Sequence, residues 1–463
     1  MAEPMVLQVQ QWLREHEQEL LDDYRSLLQI PSIEAEAEPN APFGRANREA
    51  LDFVLRRGYE WGMSCKDLEG YCGYAEFGSG ESLVAVFGHL DVVPVGPGWK
   101  YDPFSATVEE GYVYARGAVD DKGPTIAAYF AARAVKECMP DLGVRMRVVF
   151  GCDEESGFEC IHRYNQTEES PKFGFAPDAG WPLIHAEKGI ANLGIVLKPS
   201  PGSMSLISLD GGDRPNIVID LCTARVKVED AARSGIEGRL AEAWDRNVEW
   251  TWDGSQLVVT ARGKAAHGAW PIGGDSAATR AVRFLMEVAP DADKDFYTEL
   301  LELTQISGAG LGIDGRDEVS EELTTNLGVV KTEGGIVRMT FNVRYPVTWS
   351  GETVRDRCIE KLSKLKGAYT LTDFSDSKPL YFPLDHPLVK TVCDAYVAET
   401  GDTKAPGVMG GGTYARAVPN TVAIGTGWIG DGEAHQTNER CAIDSLFKMS
   451  RIYGRILVNL AHQ

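Results

Sequence analysis

The chain of 463 residues is short of basic charge, of histidine and of paired cysteine. Its 46 lysines and arginines stand against 68 aspartates and glutamates, a formal net charge of −22. That balance argues against nucleic acid or an anionic membrane surface as a partner, because both would be repelled. Nine cysteines are an odd number and none forms a Cys-x-x-Cys pair, so reduced thiols in a cytoplasmic protein are expected rather than a disulfide framework. No stretch approaches the roughly 18 uninterrupted apolar residues of a membrane span. The opening Met1-Ala-Glu-Pro-Met-Val-Leu-Gln-Val-Gln-Gln-Trp-Leu13 lacks a basic segment followed by an apolar core, so no signal peptide is expected there. There is no Gly-x-Ser-x-Gly elbow, and Ser363-Lys-Leu-Lys366 fits Ser-x-x-Lys only on a lysine-rich helix surface. Gly410-Gly411-Gly412 is not followed by Gly-Lys-Ser/Thr, so a phosphate loop is not expected either. Neither an internal period nor a low-complexity tract is visible. With 43% hydrophobic and 25% charged residues, a chain of this length has ample core for two or more domains.

What the sequence does have is five acid- or imidazole-bearing motifs. Ser82-Leu-Val-Ala-Val-Phe87 reads as a short buried strand and runs into Gly88-His89-Leu90-Asp91, at the carboxyl end where α/β sheets gather ligands. Tyr114-Ala-Arg-Gly-Ala-Val-Asp-Asp-Lys-Gly-Pro124 sets Asp120 and Asp121 just before a helix whose apolar face is Ile126, Phe130, Ala131 and Val135. One of the two aspartates is explained by helix capping, and two in a row less well. A third strand, from Val144, ends in Asp153-Glu154-Glu155, three acids that repel one another unless cations or protons neutralise them. Asp178 lies between turn formers in Phe175-Ala-Pro-Asp-Ala-Gly180. Gly430-Asp-Gly-Glu-Ala-His435-Gln-Thr-Asn-Glu439 precedes a helix with Leu446, Met449, Tyr453, Ile456 and Leu460 on one face. Of the eight histidines, His89 and His435 stand out by this acid-rich setting. Imidazole mixed with carboxylate suits zinc, manganese or cobalt, whereas an all-oxygen set would suit calcium or magnesium.

On these motifs, with Gly410-Gly-Gly-Thr-Tyr-Ala-Arg416, the chain resembles the dinuclear metallopeptidases grouped with aminoacylase, carnosinase and succinyl-diaminopimelate desuccinylase. It is most similar to their peptidase V branch of bacterial dipeptidases, over nearly its whole length. The resemblance implies two divalent ions, zinc foremost with manganese or cobalt as alternatives, bridged by Asp120. One ion would take His89 and Asp178, the other Glu155 and His435. Glu154 would be the general base, and Asp91 would orient His89. The Asp120–Asp121 peptide would be cis. Cys152, where a hydroxyl residue is usual, and Thr437, where proline is frequent, depart from the pattern without touching a ligand.

Motifs before residue 180 and near 435 must share one domain, so the expected architecture is α/β. Residues 1–186 and 383–463 would form a discontinuous catalytic domain with a mixed, mostly parallel sheet flanked by helices. Residues 187–382 would be an inserted α+β lid. In Gly335–Pro346 the residues Val337, Met339, Phe341, Val343 and Tyr345 make one apolar strand face, and Arg338, Thr340, Asn342 and Arg344 the other. Taken alone, His267 is a loop histidine, Asn216 a turn asparagine and Arg344 a member of a surface ion pair. The resemblance gives them substrate roles instead: His267 at the scissile carbonyl, Asn216 toward the substrate, Arg344 on its terminal carboxylate. Gly411 and Gly412 would offer backbone N–H groups to a carboxylate or an oxyanion. The expected function is metal-dependent hydrolysis of dipeptides with free termini, by a monomer or homodimer. A related amidohydrolase that deacylates amino acids is the alternative, and a noncatalytic binding protein has no need of Glu154.

Overall fold

A computed structural model describes residues 2–463. Two compact units emerge. One comprises the chain up to His185, Phe382–Gly407 and Gly412–Gln463, and the other Ala186–Tyr381 with Val408–Gly411. Val408–Gly411 groups with the second unit. The Lys188 N–H donates to the Met409 carbonyl at 2.9 Å, and Arg344 Nη1 to the Gly410 carbonyl at 2.8 Å.

In the first unit the strands Ser64–Leu68, Cys72–Gly78, Arg145–Gly151, Leu83–His89, Phe173–Ala179, Thr421–Gly425 and Leu183–Glu187 lie in that order. The sheet is mixed: its four central strands are mutually parallel, and the flanking pairs are antiparallel. Every residue of Leu83–His89 is buried, as its unbroken apolar character requires of a central parallel strand. The helix Lys122–Cys138 is interior as well, with Ile126, Phe130, Ala131 and Val135 fully covered. It packs against the helix Ile443–Leu460, whose Leu446, Met449, Tyr453 and Ile456 are fully buried. Burying each such side chain is worth roughly 1.5–3 kcal/mol, so the last helix is fixed to the middle of this unit.

The second unit is an eight-stranded antiparallel sheet with the order Val248–Asp253, Gln256–Arg262, Leu221–Val228, Met204–Gly211, Thr324–Glu333, Ile336–Tyr345, Gly189–Lys198, Ala368–Ser377. Val337, Met339, Phe341, Val343 and Tyr345 are its core face. On the polar face Arg338 is exposed, but Asn342 and Arg344 are buried, which removes the surface ion pair as an account of Arg344. The two halves of this sheet follow the same path. A hairpin (Met204–Gly211 with Leu221–Val228, or Thr324–Glu333 with Ile336–Tyr345) leads through a helix (Asp230–Glu242, or Gly351–Leu362) to an edge strand. No period announces this repeat in the sequence, because it is one of strand and helix order, carried by different residues.

Candidate metal centre

His89 ends a central parallel strand and is fully buried. Its Nδ1 faces the Asp91 carbonyl oxygen at 3.0 Å and an Asp91 carboxylate oxygen at 3.4 Å. Both can only accept, so Nδ1 carries a proton, and Nε2, which faces Asp120, is the nitrogen that a metal would take in place of its proton. Asp91 thus orients His89 chiefly through its backbone, while its carboxylate receives the Glu155 N–H at 3.0 Å.

Asp120 presents one oxygen to each of two imidazoles. Oδ1 is 3.0 Å from His89 Nε2, and Oδ2 is 3.0 Å from His435 Nε2. Asp178 Oδ2 completes the His89 side at 4.0 Å, and Glu155 Oε1 the His435 side at 2.9 Å. Ligand atoms about 2.0–2.2 Å from a tetrahedral ion stand roughly 3.3–3.5 Å from one another, so these separations suit shared coordination. Donor atoms of His89, Asp120 and Glu155 lie within 4.8 Å of one another, as do those of His89, Glu154 and Asp178. Asp178 is on the strand Phe173–Ala179 rather than in a turn, which fixes its aim. Glu154 and Glu155 lie in a turn and not in an extended segment, yet they still point to different donor groups. His435 has φ 63°, a left-handed setting that histidine adopts more readily than most residues.

The charges agree with this geometry. Burial, then the negative charge of Glu155, Asp120 and Asp91, pushes the Glu154 carboxyl well above its ordinary range. Burial raises Glu155 as well and, with Asp120 and Glu154, pushes Asp178 well above its ordinary range. Burial would also raise Asp120, but the hydrogen bonds from His435 and His89 hold it low. Hydrogen bonds to Asp120 and Glu155 lift His435 to about 10. Acids crowded like this resist ionising together, and cations among them relieve that cost. The donor set therefore fits two divalent ions.

The family model described as peptidase family M20/M25/M40 matches residues 85–459. The chain belongs to this family. It is 36% identical over 458 residues to the Bacillus subtilis (strain 168) protein named "Putative dipeptidase YtjP", covering 96% of this chain and 97% of that one. A Staphylococcus epidermidis protein of the same designation is 35% identical over 456 residues, covering 95% and 96%. Among solved structures, human carnosine dipeptidase 1 aligns over 99% of both chains with a TM-score of 0.56 at 15% identity. The dipeptidase Dug1p of Saccharomyces cerevisiae does so with 0.57 at 15%. At such identities the structures show a shared fold.

In this M20 peptidase the first unit brings together His89, Asp91, Asp120, Glu154, Glu155, Asp178 and His435. The Asp120–Asp121 peptide is cis. A cavity of about 670 Å³ opens beside them, lined by Asp120, Asp178, Trp428, Ile429 and Glu433 among others. Within the second unit Asn216 and His267 are neighbours: Gly268 N–H donates to the Asn216 carbonyl at 2.6 Å, and Ile217 pairs with His267. His267 is exposed and its Nδ1 accepts the Ala269 N–H at 3.2 Å. Arg344 and Gly411 also belong to this unit, where Arg344 donates to Asn342 Oδ1 at 2.9 Å, while Gly412 falls in the first. Sequence reasoning missed the work of Asp121. It precedes the helix, but its carboxylate accepts the His89 N–H at 3.1 Å and the Thr125 hydroxyl at 2.8 Å, so it braces a ligand rather than capping. The unexplained second aspartate was the available signal.

Proposed function

We propose that this peptidase hydrolyses dipeptides with both termini free, using the seven acidic and imidazole side chains of the first unit as its centre. Two divalent ions, zinc in the first place, would polarise the scissile carbonyl and make a water nucleophilic at neutral pH. His89 and Asp178 would hold one ion, His435 and Glu155 the other, and Asp120 both. Glu154 takes the proton of the attacking water and passes it to the leaving amine. Asp91 and Asp121 keep His89 in one tautomer and orientation. His267 donates to the carbonyl oxygen as charge develops there, with Asn216 beside it. Arg344 grips the terminal carboxylate with its planar fork, and the N–H groups of Gly411 and Gly412 serve the same end of the substrate. A carboxylate held at a set distance from the scissile bond permits one residue beyond that bond.

The observation that carries this reading is Asp120, whose two oxygens face two imidazoles, each with a second carboxylate. The dipeptidase names of relatives across nearly the full chain support the substrate class. The test is a chelator-stripped enzyme assayed on dipeptides, tripeptides and N-acylated amino acids with zinc, manganese or cobalt restored. Free dipeptides should be cleaved fastest and tripeptides little. Faster cleavage of N-acylated amino acids would transfer the enzyme to the deacylases, and full activity in the stripped protein would end the metal reading.

A further inference from the structure

Asp120 and His435 belong to remote segments, and a side-chain pair that touches neither ligand's functional group ties their backbones together. Glu439 is 1% exposed and Arg116 2% exposed. A charge buried that deeply is costly unless an opposite charge and hydrogen bonds meet it. Glu439 Oε2 accepts from Arg116 Nη1 at 2.7 Å, across 323 residues of sequence. Its Oε1 accepts the N–H of Val119 at 2.9 Å and of Asp120 at 3.3 Å. Arg116 also donates to the opposite segment: Nη2 reaches the His435 carbonyl at 3.4 Å, and Nη1 the Gln436 carbonyl at 3.2 Å. Nη2 also meets the Pro94 carbonyl at 3.3 Å, and the guanidinium stacks 5.3 Å from the Trp99 ring. The Ala115 N–H donates to the Glu439 carbonyl at 3.2 Å, closing the frame.

We infer that Arg116 and Glu439 are positioning residues that set the separation of Asp120 from His435 and so hold the ion that these two share with Glu155. The inference rests on the proposed ligand set. A guanidinium fork is suited to the task, since it meets a carboxylate and three carbonyls from fixed directions without changing protonation. A lysine would supply a point charge and lose the fixed angle.

A pair that served stability alone would alter unfolding and leave metal binding untouched, so metal binding is the readout. Wild type, Glu439→Ala, Glu439→Gln and Arg116→Lys are compared, with Glu76→Ala as control. Glu76 pairs with Arg147, which is 3% exposed, at 2.6 Å and apart from the ligand backbones. Zinc stoichiometry is measured by elemental analysis after desalting, affinity by calorimetry, and fold by circular dichroism. Wild type should keep two ions. Glu439→Ala should keep one and bind the second about 10–100-fold more weakly, the range for losing a partner behind a ligand. Glu439→Gln, which retains an oxygen for the two N–H groups, should fall between, and excess zinc should restore turnover in both. Glu76→Ala should melt earlier and keep both ions. If Glu439→Ala does not fold, the affinities of Glu439→Gln and Arg116→Lys decide. Two ions held at wild-type affinity in the folded variants overturn the inference alone. Fewer than two in the wild type overturn the ligand set and the inference with it.

Discussion

Glu154 and Glu155 are adjacent and chemically identical, yet the proposed function gives them separate tasks, and exchanging each for glutamine tests those tasks in one experiment. Glutamine keeps volume and one acceptor oxygen but neither carries charge nor accepts a proton. Glu155 Oε1 stands 2.9 Å from His435 Nε2 and shares a donor group with Asp120. Glu155→Gln should therefore weaken the ion on that side, leaving fewer than two after desalting. Glu154 lies with His89 and Asp178 within 4.8 Å, close enough to reach a water between the two donor sets. Loss of a positioned general base costs about 10²–10⁴ in rate, or roughly 2.7–5.4 kcal/mol of barrier at about 1.36 kcal/mol per decade. Glu154→Gln should then show kcat reduced by that factor, KM little changed and two ions retained. Initial rates on a free dipeptide, with elemental analysis of the same preparations, give both numbers. The same 4.8 Å makes Glu154 near enough to be a ligand itself. A Glu154→Gln protein that loses an ion, beside a Glu155→Gln protein that keeps two, would refute the assignment.

In the second unit, Arg344→Ala should raise KM for free dipeptides by a large factor with two ions still bound, and His267→Ala should lower kcat by about 10²–10³. Steady-state kinetics that leave KM unmoved in the first, or kcat unmoved in the second, return those residues to purely structural roles. Asp317 offers a pH test. Burial acts to raise its carboxyl, but hydrogen bonds from Ser320 and Thr348, at 2.5–3.1 Å, outweigh it and leave the group below its ordinary range. A group depressed in the folded state stabilises above its unfolded value of about 3.9, and that stability is lost as pH falls through the folded value. Asp317→Asn should thus lower stability near pH 7 by less than the roughly 1.5–3 kcal/mol of a buried hydrogen-bonded charge, because Asp317 is partly exposed and screened, and the deficit should shrink below about pH 4. Thermal melts with an equal deficit at pH 7 and pH 3 would contradict the electrostatic account.

The clustered residues were legible because they sit where a periodic element stops: His89 at the end of an all-apolar strand, Asp120 before a helix with a clear face, His435 before another. The local geometry was less legible. Asp178 looked like a turn residue because its flanking proline and glycine are read locally, while its strand is held by pairing with Thr421–Gly425, far along the chain. Arg344 sits on the polar face of its strand, and strand periodicity cannot say that a polar face is covered. Arg116 and Glu439 were in quoted motifs without a role, since their meaning lies in each other and the pair spans 323 residues. The doubled path of the second unit left no trace, because burial constrains residue class and not identity.

The strand Thr421–Gly425 enters the first sheet between Phe173–Ala179 and Leu183–Glu187. During synthesis those two neighbours leave the ribosome more than two hundred residues earlier and stay unjoined until their middle strand arrives. Most of the second unit, Ala186–Tyr381, is made in the meantime as one uninterrupted stretch with its own core. Domains generally fold as units when their chain is available, and for most of the second unit that chain is complete before Thr421–Gly425 is made. His435 follows that strand. A nascent chain halted before it carries Asp120, Glu154, Glu155 and Asp178 without the imidazole that faces Asp120 Oδ2.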